Sequence, residues 1–416
     1  MPSVDINYRF LTLAVSLGVF LFFAINLSVP SGYSYGSGIL FLSSVYFLSR
    51  WPSLSLSKED KTLAYCLLAL FLVAALVFLI HGNELRTMDM PTRYLLAIPV
   101  LMLLLHVQPR LPYLWAGVAM GGVSAAGIAV WQLYWLGYER VDGLTNGTRF
   151  GGISTMLCIL CAAGLFWVQA NQGKHAWRWR IALLIGLFTA AYASLASETR
   201  GGWVAIPFVV ILFCFAFLTR QNLKRAAGIS AVLAIALAGV FYAKPNNVVE
   251  VRFDEAVSEV NSYVENRDAQ TSVGGRLEIW RAVLIHVPQK PIFGWSHEDF
   301  RASLKRLVAE KKLEQRAIEI PHTHNEYLQV LIFQGVVGLI PLLALYIFAM
   351  VFFCKRLGSR NHNVKILAVC GTSLLVTYFV LGLTQIILQR NDSLLFFLIT
   401  LCTLWACMRG QEKRDG

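Results

Sequence analysis

The sequence has 416 residues, of which 56% are hydrophobic and only 14% charged, with a formal net charge of +12 and a mean hydropathy of +0.58. That leaves too little polar surface to coat a soluble globule, which excludes a water-soluble enzyme or binding module and indicates a polytopic membrane protein. Continuous apolar runs replace the alternation a barrel needs, so the expected fold class is all-α.

About 20 helical residues cross a bilayer core. Twelve runs of that kind lie near 9–29, 35–50, 61–80, 93–108, 112–137, 151–170, 180–197, 202–219, 226–243, 326–354, 364–388 and 392–409. The first follows eight short polar residues and has no small-residue cleavage site, so it reads as an anchor and not a cleaved signal. The expected organisation is nine spans over 1–243, a polar loop over 244–325, and three spans with a tail over 326–416.

Orientation follows from Lys and Arg in the short connections. With the N-terminus inside, eighteen basic residues fall on inside segments and six on short outside loops, namely Arg86, Arg93, Arg140, Arg149, Arg200 and Arg390. Both termini are therefore expected inside and the long loop outside. The basic surplus needs no nucleic acid to explain it.

All eight cysteines lie within spans or at their inside ends, and none in the outside loop, so no disulfide framework is implied. Cys158 and Cys161 form a C-x-x-C, but in an apolar run without His or acidic neighbours the spacing reads as packing. Asn146-Gly147-Thr148 fits a glycosylation acceptor, and its place in a short loop beside the membrane makes the match accidental.

Ionisable groups at membrane depth are expensive and mark functional positions. In chain order, Arg140 and Arg149 bound the short outside loop 140–149, which reads either as an ordinary solvated turn or as polar groups facing substrate. Ser197-Glu198-Thr199-Arg200-Gly201-Gly202-Trp203 joins two apolar runs with almost no loop, which puts Arg200 at the outer surface. Arg200 either pairs with Glu198 or meets an anionic lipid substrate, whose phosphate oxygens its planar fork would match.

The outside loop reads as a small helical cap without a core of its own, with amphipathic helices over Val251–Val264 and Glu298–Leu313. Between them, Gly274-Gly275-Arg276 opens another helix, where glycines, the helix N-terminus and Arg276 suggest an anion site.

The loop ends on Pro321-His322-Thr323-His324-Asn325-Glu326-Tyr327-Leu328-Gln329, where the polar block runs into the tenth apolar run. His324, at a helix start, is disfavoured as an imidazolium and suits a general base, although it could merely cap the helix. His322 reads as a neighbour or a sugar contact, and Asn325, Arg140 and Trp280 are further candidate substrate contacts.

These residues resemble a family. His324-Asn325-x-Tyr327-Leu328-Gln329, with Gln334-Gly335 and Gly338-Leu339, is similar to the H-N-x-(Y/F)-L, E-x-G and G-L signature of the O-antigen ligase and polymerase superfamily. Ser197-x-Thr199-Arg200-Gly201-Gly202-Trp203 and Gly275-Arg276-x-x-x-Trp280 resemble its two arginine motifs, and Phe293-Gly294-Trp295 its F-G-x-G turn. Gln334 stands where many members carry Glu, and Ser296 replaces the second turn glycine.

The resemblance implies a GT-C-like membrane fold and glycosyl transfer on the periplasmic face of a Gram-negative inner membrane. The donor would be O-antigen polysaccharide on undecaprenyl pyrophosphate and the acceptor lipid A-core. Arg200 and Arg276 would hold the pyrophosphate, His324 would be the base, and no metal or other cofactor is expected. An O-antigen polymerase would share the donor and differ in the acceptor. A protein O-oligosaccharyltransferase would usually carry an extra outside region after the last span, whereas this chain is expected to stop inside at Gly416. A transporter would need polar groups at the bilayer midplane, where these spans are nearly free of charge.

Overall fold

The computed structural model describes residues 7–50, 52–218 and 248–415. Among them the regular structure is entirely helical, as expected. In chain order the first helices are α1 (Tyr8–Ile25), α2 (Gly32–Ser49), α3 (Lys58–His81), α4 (Asp89–His106), α5 (Leu111–Val130), α6 (Gly147–Ala170), α7 (Ala176–Ala196) and α8 (Arg200–Phe217). There follow α9 (Val248–Asn266), α10 (Ser272–His286), α11 (His297–Ala309) and the single turn α12 (Arg316–Glu319). The last three are α13 (Glu326–Cys354), α14 (His362–Gly382) and α15 (Asn391–Asp415).

Nine helices among the described residues are long and apolar enough to cross a membrane, which makes this a multi-pass membrane protein. They cover nine of the twelve predicted spans. The second span is the helix α2, but eight of its eighteen residues are Gly or Ser, which lowers its hydropathy. The eighth is the shorter apolar helix α8, and the ninth, 226–243, lies outside the described residues.

The chain divides into two compact units, Met1–Leu212 with Gly338–Gly416, and Phe213–Val337. In the first, α15 is the most enclosed helix and packs on α2, α4, α6 and α14. Its buried Phe396 meets Phe23 of α1 edge to face at 5.8 Å, and its buried Trp405 stacks on Phe352. Lipid gives apolar helices no reason to leave it for one another, so close backbone contact has to supply the attraction. Gly122 of α5 does this against the carbonyl of Gly186 in α7, where a side chain would collide with backbone.

One group of charges in this unit is closely paired. Ser57 and Asp60 form a capping box that opens α3, and the Asp60 carboxylate also accepts the Trp405 indole N–H at 2.8 Å. Arg356 bridges Glu59 (2.7 Å) and Glu412 (2.5 Å), while Arg409 reaches Glu412 (2.7 Å) and Asp60 (3.4 Å). Two arginines thus bind three carboxylates at the ends of α3, α13 and α15, an arrangement that matches each partly buried charge with an opposite one.

The second unit corrects the expectation of a cap without a core. Ile279, Ala282, Val283, Trp295, Phe300, Leu304, Leu307, Leu313, Ala317 and Ile332 form a buried apolar cluster. At its centre His286 is fully buried, with Nδ1 on the Ala282 carbonyl at 2.6 Å and Nε2 on the Ser303 hydroxyl at 2.9 Å. Its own carbonyl accepts the Trp295 indole N–H at 3.0 Å. Glu278, also fully buried, accepts the Tyr263 hydroxyl at 2.5 Å and the Glu314 amide at 2.8 Å, tying α9, α10 and the turn before α12 together. Each helix contributes too few apolar residues to predict a core alone. The cluster emerges only when three short helices, the turns that carry Trp295 and Leu313, and Ile332, which the sequence assigns to a membrane span, come together.

The tenth run is not one straight helix either. Gly335 (φ 63°, ψ −164°) breaks α13 after its ninth residue, in a backbone region essentially reserved for glycine. The break docks on the 291–295 turn: Trp295 N–H donates to Ile332 O (2.7 Å), Val336 N–H to Pro291 O (2.9 Å) and Val337 N–H to Ile292 O (3.3 Å). A β-carbon on Gly335 would collide with the Ile292 carbonyl, and one on Gly294 (φ 74°) with that of Ile332. The portion after the break still rises about 28 Å, near the thickness of a bilayer core.

Candidate active site

The first unit carries the Arg200 segment. Ser197 and Thr199 are buried, their hydroxyls bond each other at 2.9 Å, and Thr199 donates to the Gly147 carbonyl at the start of α6 at 2.9 Å. Glu198 between them takes a left-handed conformation (φ 51°). These bonds fix the short link from α7 to α8, which Arg200 opens. The Arg200 side chain, whose expected partner is Glu198 or a substrate phosphate, lies outside the described residues.

The neighbouring loop is pinned to the same link, because Val141 N–H donates to Ala196 O at 3.1 Å. Gln132, buried in the widened last turn that follows α5, donates to Gly143 O (2.6 Å) and accepts from the amides of Asp142 (3.1 Å) and Gly143 (2.9 Å). The loop is thus a held structure and not a loose turn. Arg140 remains exposed, 3.9 Å from Asp142, while Arg149 pairs at 2.7 Å with the buried Asp392 of α15.

The second unit carries Arg276, Trp280, His322, His324 and Asn325. Thr323 is the keystone of the histidine loop, only 1% exposed. Its amide donates to Gln329 Oε1 (2.9 Å), its hydroxyl to Asn325 O (2.7 Å), and its carbonyl accepts the Trp280 indole N–H (2.7 Å). Asn325 caps the helix: its Oδ1 accepts the amides of Tyr327 and Leu328, both at 3.0 Å. His324 sits between these anchors with φ 52°, a left-handed conformation that costs a residue other than glycine about 1–2 kcal/mol. Such strain persists only where the surroundings determine it, and here both flanking residues are hydrogen-bonded. The rings of His322 and His324 lie 4.1 Å apart.

Trp280 and Asn325, named as candidate substrate contacts, thus also build the loop that presents His324. Arg276 lies in the first turns of α10, half-buried. The N-terminus of that helix is already filled, since Thr271 caps the Gly274 amide (3.0 Å) and the Glu259 carboxylate takes the Val273 amide (2.7 Å). Gly274 lies against the Asp268 carbonyl, so the glycine serves packing. An anion at Arg276 would therefore rest on the guanidinium and not on the helix end.

Sequence reasoning missed Thr323 and Glu278, and also a cavity beside the histidine loop. The signal for Thr323 was present in its position between two histidines. Glu278 gives none, because a lone carboxylate on an amphipathic helix reads as solvated. Among the described residues no three His, Cys, Asp or Glu side chains gather as ligands for a metal ion.

Residues 185–343 match the O-antigen ligase family. The matched stretch contains Arg200, Arg276, Trp280, Gly294, His322, His324 and Gly335, and leaves out Arg140. Over 394 residues, 94% of this chain and 98% of the relative, the chain is 28% identical to a Haemophilus influenzae protein described as uncharacterized. Over 233 residues it is 25% identical to the O-antigen ligase of Escherichia coli K12, a match that spans 55% of this chain and 53% of that ligase.

Proposed function

We propose, from the match of residues 185–343 to the O-antigen ligase family, that the protein transfers O-antigen polysaccharide from undecaprenyl pyrophosphate to lipid A-core at the periplasmic face of the inner membrane. The observation that carries this reading is the His322–Asn325 loop, where bonds from Trp280, Gln329 and Asn325 hold His324 in a strained conformation at a helix mouth.

In the proposed reaction the acceptor hydroxyl oxygen attacks the anomeric carbon as the bond from that carbon to the phosphate oxygen breaks. The electron pair leaves with the pyrophosphate, and the hydroxyl proton passes to His324. Attack from the face opposite the leaving group inverts the anomeric centre. Arg200 and Arg276 would offset the charge that develops on the pyrophosphate, which makes a general acid unnecessary.

The test is transfer by purified full-length protein given lipid-linked polysaccharide and lipid A-core. A polysaccharide-capped lipid A-core product, found by gel and mass spectrometry, is the expected result. A longer lipid-linked chain instead would make the protein a polymerase, and glycan on added protein would make it a protein glycosyltransferase.

A further inference from the structure

Beside the histidine loop the second unit contains a cavity of about 210 Å³, bordered by His297, Arg301, Glu319, His322, Gln329 and Phe333. Its wall has an aromatic platform, a pair in which the His297 ring stacks on Phe333 at 3.8 Å with 26° between the planes. Around that platform stand groups that donate and accept in planes: the Arg301 guanidinium, the Glu319 carboxylate, the Gln329 amide and two imidazoles. Glu319 is steadied by Arg316 at 2.9 Å, and Gln329 by the Thr323 amide at 2.9 Å.

This lining fits a sugar better than a phosphate. A pyrophosphate needs a surplus of cations, whereas this wall offers the single Arg301 guanidinium beside a Glu319 carboxylate that Arg316 already pairs. A pyranose has an apolar face to lay on an aromatic platform and hydroxyls that both donate and accept. The volume lies below the roughly 300–1,000 Å³ of pockets for drug-sized ligands, so it suits one ring and not a chain. His322 belongs to the wall, and its ring is 4.1 Å from that of His324. A ring seated in the cavity is therefore one side chain away from the proposed base.

We propose that this cavity seats the terminal, uncharged pyranose of the acceptor oligosaccharide and so holds it beside the histidine loop. The proposal rests on the ligase reading above. It gives the second unit a substrate pocket whose lining includes neither arginine assigned to the donor.

Two measurements test it on the full-length protein in nanodiscs. His297 and Arg301 are both exposed, so His297→Ala and Arg301→Ala leave the core intact. Each should raise the KM for lipid A-core about tenfold, the loss of a hydrogen bond or stacking contact, while the donor KM stays within about twofold. Separately, saturation-transfer NMR with the oligosaccharide released from lipid A-core by mild acid should mark the protons of its terminal sugar, and both variants should weaken that signal. An unchanged acceptor KM in both variants, or no terminal-sugar contact with the wild-type protein, overturns the proposal. Failure of the wild type to transfer any polysaccharide sinks the ligase reading instead, and the NMR contact then decides the cavity by itself.

Discussion

The Trp280 indole N–H donates to the Thr323 carbonyl at 2.7 Å and thereby ties the arginine-bearing helix α10 to the histidine loop, 43 residues further along the chain. Trp280→Phe keeps most of the ring and removes this bond. An unmade bond to a buried carbonyl costs about 1–3 kcal/mol, so transfer should fall about fivefold or more at unchanged donor affinity. Hydrogen exchange at residues 322–325 should quicken in the same variant; unaltered exchange and rate would show that the bond does not position the loop.

His324→Ala should abolish transfer while the protein still inserts and binds donor lipid, because the proposed base acts on the acceptor. A deletion strain complemented with this variant should show lipopolysaccharide without polysaccharide caps on a gel. A normal ladder would remove His324 from the mechanism.

Arg200→Ala and Arg276→Ala should weaken donor binding as well as rate, and lysine at either position should restore activity only in part, since a point charge does not reproduce a bidentate fork. Full activity from either lysine variant, measured as donor KM and kcat, would reduce the role to charge alone.

If Arg200 and Arg276 meet the leaving-group charge as proposed, transfer by purified protein should proceed undiminished in excess EDTA, with little response to magnesium or manganese. Activity lost on chelation and restored by one divalent ion would overturn that assignment and leave the family assignment standing.

The buried His286 predicts a pH effect confined to stability. Burial holds its imidazole below the ordinary histidine range, the Ala282 carbonyl partly opposes this, and the charge of Arg306 lowers it further. A depressed histidine favours the folded state while neutral. Its stabilisation is present above the unfolded pKa near 6.5 and is lost as pH falls below it. The melting temperature of the purified protein should therefore drop from pH 7 to pH 5, and less so in His286→Gln. Equal drops in both would place the acid sensitivity elsewhere.

Gly335→Ala forces a side chain into a glycine-only conformation and against the Ile292 carbonyl. A strained residue of this kind costs about 1–3 kcal/mol before any collision. Reduced yield and a lower melting temperature are expected, whereas Gly358→Ala, with open space around it, should be neutral.

The sequence alone determined the membrane class, the all-helical fold, nearly every described helix and the segments that bear Arg200, Arg276 and His324. Those properties are local: hydropathy sums over a span, helical spacing repeats within a few residues, and a motif is read along the chain. Only the tertiary structure decided that the polar segment has a core, because Trp295, Phe300 and Ile332 are far apart until the helices pack. It likewise decided that Gly335 breaks an apolar run, since hydropathy does not register a backbone turned to meet Pro291 and Ile292. The sugar-sized cavity and the Trp280 to Thr323 bond belong to the same class, for a side chain's partner depends on what folding brings beside it and not on its neighbours in sequence.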